Sequence, residues 1–188
     1  MCGGASRRMG RDKALLVVDG EPMVRRVVRA VRSAGAAAVV TVGGDEAGLT
    51  AALLPVQGVR AVLDHDPGEG PLGGILTGLV TLDHEVVLVV SCDLLAPDPT
   101  AMAATVRALA DDPTAAVAAP ELDGRVQWLH AAWRRSSVQG PLAERFAAGE
   151  RSIHRAVAAT GLRRITVGVA PGGLADADTP DDLPDDLR

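Results

Sequence analysis

A chain of 188 residues has the size of one ordinary domain, which here is taken to run over residues 1–188, and can bury a core without disulfides or a structural metal. Ala, Val and Leu supply most of its 47% apolar content, with one Phe, two Trp and no Tyr. A formal charge of −5 and this scarcity of aromatics exclude nucleic acid as a partner, because single-strand binders need a basic groove and stacking platforms.

The two cysteines, Cys2 and Cys92, are too few for a disulfide framework and stand apart from His or Cys at metal-ligand spacing, as suits a reducing compartment. The N-terminus enters Gly3-Gly4 and Arg7-Arg8 without an apolar h-region, and no stretch reaches the roughly 18 apolar residues of a membrane span. A cytoplasmic protein without membrane contacts is expected.

The first element with chemical content is Gly3-Gly4-Ala5-Ser6-Arg7-Arg8-Met9-Gly10-Arg11-Asp12-Lys13. Small residues let backbone N–H groups approach an anion, and Arg8, Arg11 and Lys13 neutralise it, so a triphosphate is a natural occupant and a basic surface turn the alternative. The segment matches neither the Walker pattern nor the Gly-x-Gly-x-x-Gly of dinucleotide sites. The latter mismatch, with the absence of Tyr, argues against a nicotinamide-dependent oxidoreductase.

A helix follows over 21–34, with Val24, Val27, Val28 and Val31 on one face, Arg25, Arg29 and Arg32 off it, and Gly35 suited to the C′ position. The runs 38–42, 61–63 and 86–90 are continuous, β-branched and apolar, the pattern of buried parallel strands. Helices near 46–54 and 71–82 separate them, and Asp98-Pro99 begins another, with Asp as cap and Pro in the first turn. This alternation predicts an α/β fold with a parallel sheet, helices on both faces and a ligand crevice at the carboxyl ends of the strands. Strands at 115–119, 126–133 and 165–169 and helices near 138–148 and 152–160 complete the second half. Thr179-Pro180-Asp181-Asp182 starts a last short helix.

Three acidic positions bear on that crevice. Asp93 follows the 86–90 strand where it emerges, and an isolated carboxylate there suits Mg²⁺, which fills its other positions with water and phosphate oxygens; a helix cap is the alternative. Asp64 ends the preceding strand and either contacts a base or ribose or caps a turn. Asp178, near Asp176, either reaches the metal or is a solvated loop acid. Gly70-Pro71-Leu72-Gly73-Gly74 is a tight turn before a helix, or a place where Pro71 and Gly74 lay backbone against a nucleoside. His65, His84, His130 and His154 lack zinc-helix spacing, and no nucleophile elbow is present. The basic residues Arg151 and Arg155 beside His154 read as a solvated helix face.

The segment from Gly3 to Leu16, Gly70-Pro71-Leu72-Gly73-Gly74, Cys92-Asp93 and Asp178-Thr179-Pro180-Asp181-Asp182-Leu183 together resemble the molybdenum cofactor guanylyltransferase family in order and spacing over nearly the whole chain. The resemblance implies a Rossmann-like, mostly parallel sheet of the nucleotide-diphospho-sugar transferase type. It also implies transfer of GMP from GTP to molybdopterin with release of pyrophosphate. By the same resemblance Gly3, Gly4, Ala5, Ser6, Arg8, Met9 and Gly10 hold the nucleotide, Lys13 binds its phosphates and acts with Asp93 in catalysis, Asp64 lies near the base, and Asp93 carries Mg²⁺, joined by Asp178. Contacts with a molybdoenzyme or cofactor chaperone belong to the same expectation.

The chain departs from that pattern at its start. A buried strand usually runs into Leu-Ala-Gly-Gly in the family, whereas Met1-Cys2 precedes Gly3-Gly4 here, so the first strand is expected to be largely missing. A cytidylyltransferase, a relative acting on another phosphorylated acceptor, and a truncated, non-catalytic nucleotide-binding module are the competing expectations.

Overall fold

The computed structural model describes residues 1–3, 12–54 and 56–169. Gly4, Ala5, Ser6, Arg8, Met9, Gly10 and Asp178, and the expected last helix, lie outside the described residues. A short 3-10 turn (Lys13–Leu15) leads into a small antiparallel hairpin of β1 (Val17–Val18) and β2 (Glu21–Pro22). Helix α1 (Met23–Ser33) follows, with Val24, Val27 and Val28 buried and Arg29 exposed, and Gly35 continues beyond its end at φ +100°, the left-handed conformation that glycine tolerates.

The chain then alternates through β3 (Val39–Val42), α2 (Glu46–Leu53), β4 (Val59–Val62), α3 (Pro71–Thr81), β5 (Val86–Leu88) and α4 (Pro99–Asp111). Asp98 caps α4 as its sequence implies, its carboxylate accepting the Thr100 N–H at 2.8 Å. The remainder comprises β6 (Val117–Leu122), β7 (Arg125–Val126), β8 (Ala132–Arg134), α5 (Arg135–Ala147), α6 (Ile153–Thr160) and β9 (Arg164–Val167). No helix among the described residues is long and apolar enough to cross a membrane.

β3 and β4 pair in parallel, as do β6 and β9. β8 runs antiparallel between β5 and β6, and β7 antiparallel to β6, so the sheet is mostly parallel with two reversed members. The stretch 126–133, expected as one strand, is instead the end of the β6–β7 hairpin, a 3-10 turn (Trp128–His130) and the start of β8. The reason is a local reversal: Asp123 and Gly124 both adopt positive φ, and the Gln127 N–H closes the hairpin on the Pro120 carbonyl at 2.9 Å. The run 61–63 was likewise expected to be buried, yet Leu63 lies one residue past β4 and is 61% exposed.

Trp133, Leu72, Ile75, Leu79, Val117 and Leu142 form the main buried cluster between the sheet, α3 and α5. A second cluster around Val24, Val28, Leu49 and Leu53 includes both cysteines. Among the described residues only Met1 and Cys2 bridge the sheet between β3 and β5. The Met1 amine donates to the Val90 carbonyl at 2.8 Å, the Cys92 N–H to the Met1 carbonyl at 3.1 Å, and the Cys2 N–H to the Val42 carbonyl at 2.9 Å.

Candidate active site

The sequence places its glycines and acids at the ends of parallel strands, and the fold brings those ends together. Gly3 follows the Met1-Cys2 bridge, Gly43 and Gly44 follow β3, Asp64 follows β4, and Asp93 follows the segment beyond β5. At Gly43, with φ +72°, a Cβ would stand 2.9 Å from the Gly3 Cα. At Gly44, with φ +83°, it would stand 2.9 Å from the Cys2 carbonyl. Backbone packs on backbone here, and only glycine satisfies both the conformation and the space.

Lys13 reaches across to this edge from its 3-10 turn. Its Nζ lies 3.4 Å from Asp93 Oδ2, with both side chains 16% exposed. The Ser91 hydroxyl donates to the other oxygen of the same carboxylate. Asp93 is therefore oriented from two sides, and a single partly buried carboxylate at a strand end has the chemistry of a Mg²⁺ ligand that leaves most positions to water and phosphate oxygens. Among the described residues no group of three or more His, Cys, Asp or Glu gathers to form an all-protein metal site.

Asp12 joins the two loops. One carboxylate oxygen caps the turn at the Ala14 N–H at 3.0 Å, and the other accepts the Asp45 N–H at 3.2 Å beyond Gly44. Asp64 is held by α3: its Oδ1 accepts the Thr77 hydroxyl at 3.2 Å and the Asp66 N–H at 3.1 Å. Thr77 in turn accepts the His65 N–H at 3.1 Å. A Cβ at Gly74 would lie 3.5 Å from Asp64 Oδ2 and would overlap the Met1 methyl group, so the first turn of α3 approaches Asp64 and Met1 without side-chain cover. Pro71 opens that helix after Gly70 at φ +87°.

Gly3, Lys13, Asp64, Pro71, Gly74 and Asp93 thus belong to one edge of the fold. Asp12, Gly43, Gly44, Thr77 and Ser91 join them without having been singled out. Asp12 carried a signal, since an Asp two residues before an N–H it can cap is a familiar turn device; its bond to Asp45 carried none.

The two thiols meet on the same ladder. The bonds of Met1 to Val90 and Cys92 set Cys2 directly opposite Cys92, and both are buried. The hydrogen bond between them lowers the Cys2 pKa and, together with burial, raises that of Cys92. The basic face near His154 is internally neutralised: Arg151 pairs with Glu69, and Arg155 with Glu150.

A family model described as the MobA-like NTP transferase domain matches residues 1–164. The chain belongs to this family. A probable molybdenum cofactor guanylyltransferase of Chloroflexus aggregans is 31% identical over 97% of the chain and 89% of its own length. Another protein of that name, from Pelotomaculum thermopropionicum, is 40% identical over 50% of the chain, and the match spans 43% of the relative, less than half its length. Among solved structures, a nucleotidyl transferase from Methanothermobacter superposes with a TM-score of 0.74 over 96% of the chain and 90% of its own, at 22% identity, a likeness of fold. Within the MobA-like family fold, the edge carrying Lys13 and Asp93 is the carboxyl edge of the parallel strands, where open α/β sheets bind ligands.

Proposed function

We propose that this protein transfers GMP from GTP to a molybdopterin-type acceptor, releasing pyrophosphate. The observation that carries the reading is the meeting of Lys13 and Asp93 beside Gly3 at the carboxyl edge of the sheet. The names of the similar proteins from Chloroflexus and Pelotomaculum support the choice of base and acceptor.

In this reaction a terminal phosphate oxygen of the acceptor bonds to the α-phosphorus of GTP. The bond from that phosphorus to the α–β bridging oxygen breaks, and its electron pair leaves with pyrophosphate. The acceptor brings its own nucleophile, so the protein's task is positioning and charge neutralisation. Gly3, Gly4, Ala5, Ser6, Arg8, Met9 and Gly10 cradle the nucleotide in this reading. Lys13 stabilises the leaving pyrophosphate, Asp64 and the backbone at Pro71 and Gly74 face the nucleoside, and Ser91 fixes the Asp93 carboxylate. Asp93, with Asp178, would hold Mg²⁺, which when bound lowers the repulsion between triphosphate and acceptor phosphate.

The test is turnover with each NTP, acceptor and magnesium. Product from GTP alone is expected. Preferential use of CTP would replace the base assignment, and absence of turnover with every base from a folded sample would overturn the enzyme reading in favour of a nucleotide-binding module.

A further inference from the structure

Cys2 and Cys92 are the only cysteines of the chain, and the fold brings them face to face as free thiols. Met1 sits opposite Ser91: its amine donates to the Val90 carbonyl at 2.8 Å and its carbonyl accepts the Cys92 N–H at 3.1 Å, the two bonds of a parallel register. Cys2 is then paired with Cys92 one step along, and paired residues on neighbouring strands send their side chains to the same face. The packing agrees. Both side chains lie in the cluster with Ala14, Val24, Val28, Leu49 and Leu53, and a hydrogen bond joins the two thiols.

Neighbouring strands are about 4.8 Å apart, inside the window of about 4.4–6.8 Å over which a disulfide joins two Cα positions. Bond formation therefore asks for side-chain rotation and little backbone movement. A buried thiol also packs as a small apolar group, which accounts for each cysteine separately but not for their pairing. The place matters as well. Cys2 immediately precedes Gly3, where the glycine-rich segment begins, and Cys92 immediately precedes Asp93.

We propose that Cys2 and Cys92 form a reversible disulfide, with a low-molecular-weight disulfide as the oxidant, and that this bond locks the Gly3 segment to the strand end carrying Asp93. The two S–H bonds break and one S–S bond forms between the protein sulfurs. The two electrons released cleave the S–S bond of the oxidant, which takes up the two protons and leaves as two thiols; excess small thiol runs the exchange backwards. Because the bond joins residues far apart in sequence, it restricts the unfolded chain and fits the folded one. By linkage, the fold favours the oxidised pair. This holds whatever substrate the edge binds.

The experiment equilibrates the full chain in buffers of oxidised and reduced glutathione, once folded and once in urea, quenches it in acid and reads intact and peptide masses. Loss of two hydrogens with a cross-link between the Cys2 and Cys92 peptides is expected, and a dithiol reductant is expected to restore both thiols. The oxidising strength needed for half conversion is expected to be on the order of 100-fold lower for the folded protein than in urea. An equal or greater requirement in the folded protein overturns the proposal, since the native geometry then gives the bond no advantage. Thiols that stay free, or carry glutathione singly, where the urea sample is cross-linked overturn it too. The lock is read separately by amide exchange at Cys92: slowing on the order of 10-fold on oxidation is expected, and unchanged exchange removes the lock.

Discussion

Lys13 Nζ stands 3.4 Å from Asp93 Oδ2, eighty residues away in sequence, and the pair is the point at which the glycine-rich N-terminal segment meets the carboxyl edge of the sheet. Each side chain helps to hold the other, so removing one loses that contact as well as a charge, while Asp93 keeps its bond from Ser91.

Replacing Asp93 with Asn keeps the shape and removes the charge. Magnesium-dependent turnover is expected to fall by at least about 100-fold, the scale associated with losing one preorganised electrostatic group. Lys13→Ala is expected to weaken GTP binding and turnover while leaving the thermal midpoint within a few degrees. Steady-state rates and calorimetric titration of GTP check both, and near-normal turnover in either variant would remove that residue's proposed role.

Asp12→Ala deletes a turn cap and a bond between two loops. A loss of about 1–2 kcal/mol in urea unfolding is expected, in the range for capping acids. Asp12→Asn, which retains an oxygen acceptor, is expected to lose less. Equal losses would show that charge, and not the two hydrogen bonds, is what the loops require.

Gly43→Ala and Gly35→Ala form a controlled pair. Both positions have positive φ, at +72° and +100°, but nothing lies within 4 Å of a Cβ at Gly35, whereas Gly43 faces the Gly3 Cα at 2.9 Å. Each substitution carries the left-handed penalty of about 1–2 kcal/mol. Gly43→Ala is expected to cost more and to depress nucleotide binding as well. Identical unfolding midpoints for the two variants would deny the close approach any consequence.

Glu150 accepts hydrogen bonds from the Arg155 side chain and from the Ser152 and Arg151 N–H groups, which hold its pKa at about 2. The folded value lies below that of the unfolded chain, so the unfolded state takes up the proton first. The stabilisation is complete above about pH 4.5 and is lost as pH falls towards about 2. Urea midpoints of the Glu150→Gln variant are therefore expected to depend less on pH between those limits than those of the parent. Asp112, held at about 2 by Thr114 and Arg163, supplies a second carboxylate of the same sign, so the variant retains part of the acid dependence. An unchanged slope in Glu150→Gln would contradict the assignment.

Elements governed by local pattern were legible in the sequence. The valine stripe of α1 and the Asp98 cap of α4 involve neighbours within a turn, and both stand where the residues imply. The edge that gathers Gly3, Asp64 and Asp93 was legible too, because parallel strands deliver their carboxyl ends to one side. Relationships set by pairing at long range were not. Nothing in Ala132–Arg134 says that it runs antiparallel between β5 and β6, and nothing in Asp12 names Asp45 as its second partner. Leu63 shows the same limit from the other direction, since an apolar run does not reveal which of its members falls beyond the sheet.

Cys2 and Cys92 are the only thiols in the chain, and they sit opposite each other on the short ladder that ties the N-terminus to the sheet. Both are buried, and parting of that ladder is expected to expose them to a thiol reagent. The rate of alkylation then reports on opening of the N-terminal bridge, readable by mass spectrometry without an engineered label, and bound nucleotide is expected to slow it by keeping the bridge closed.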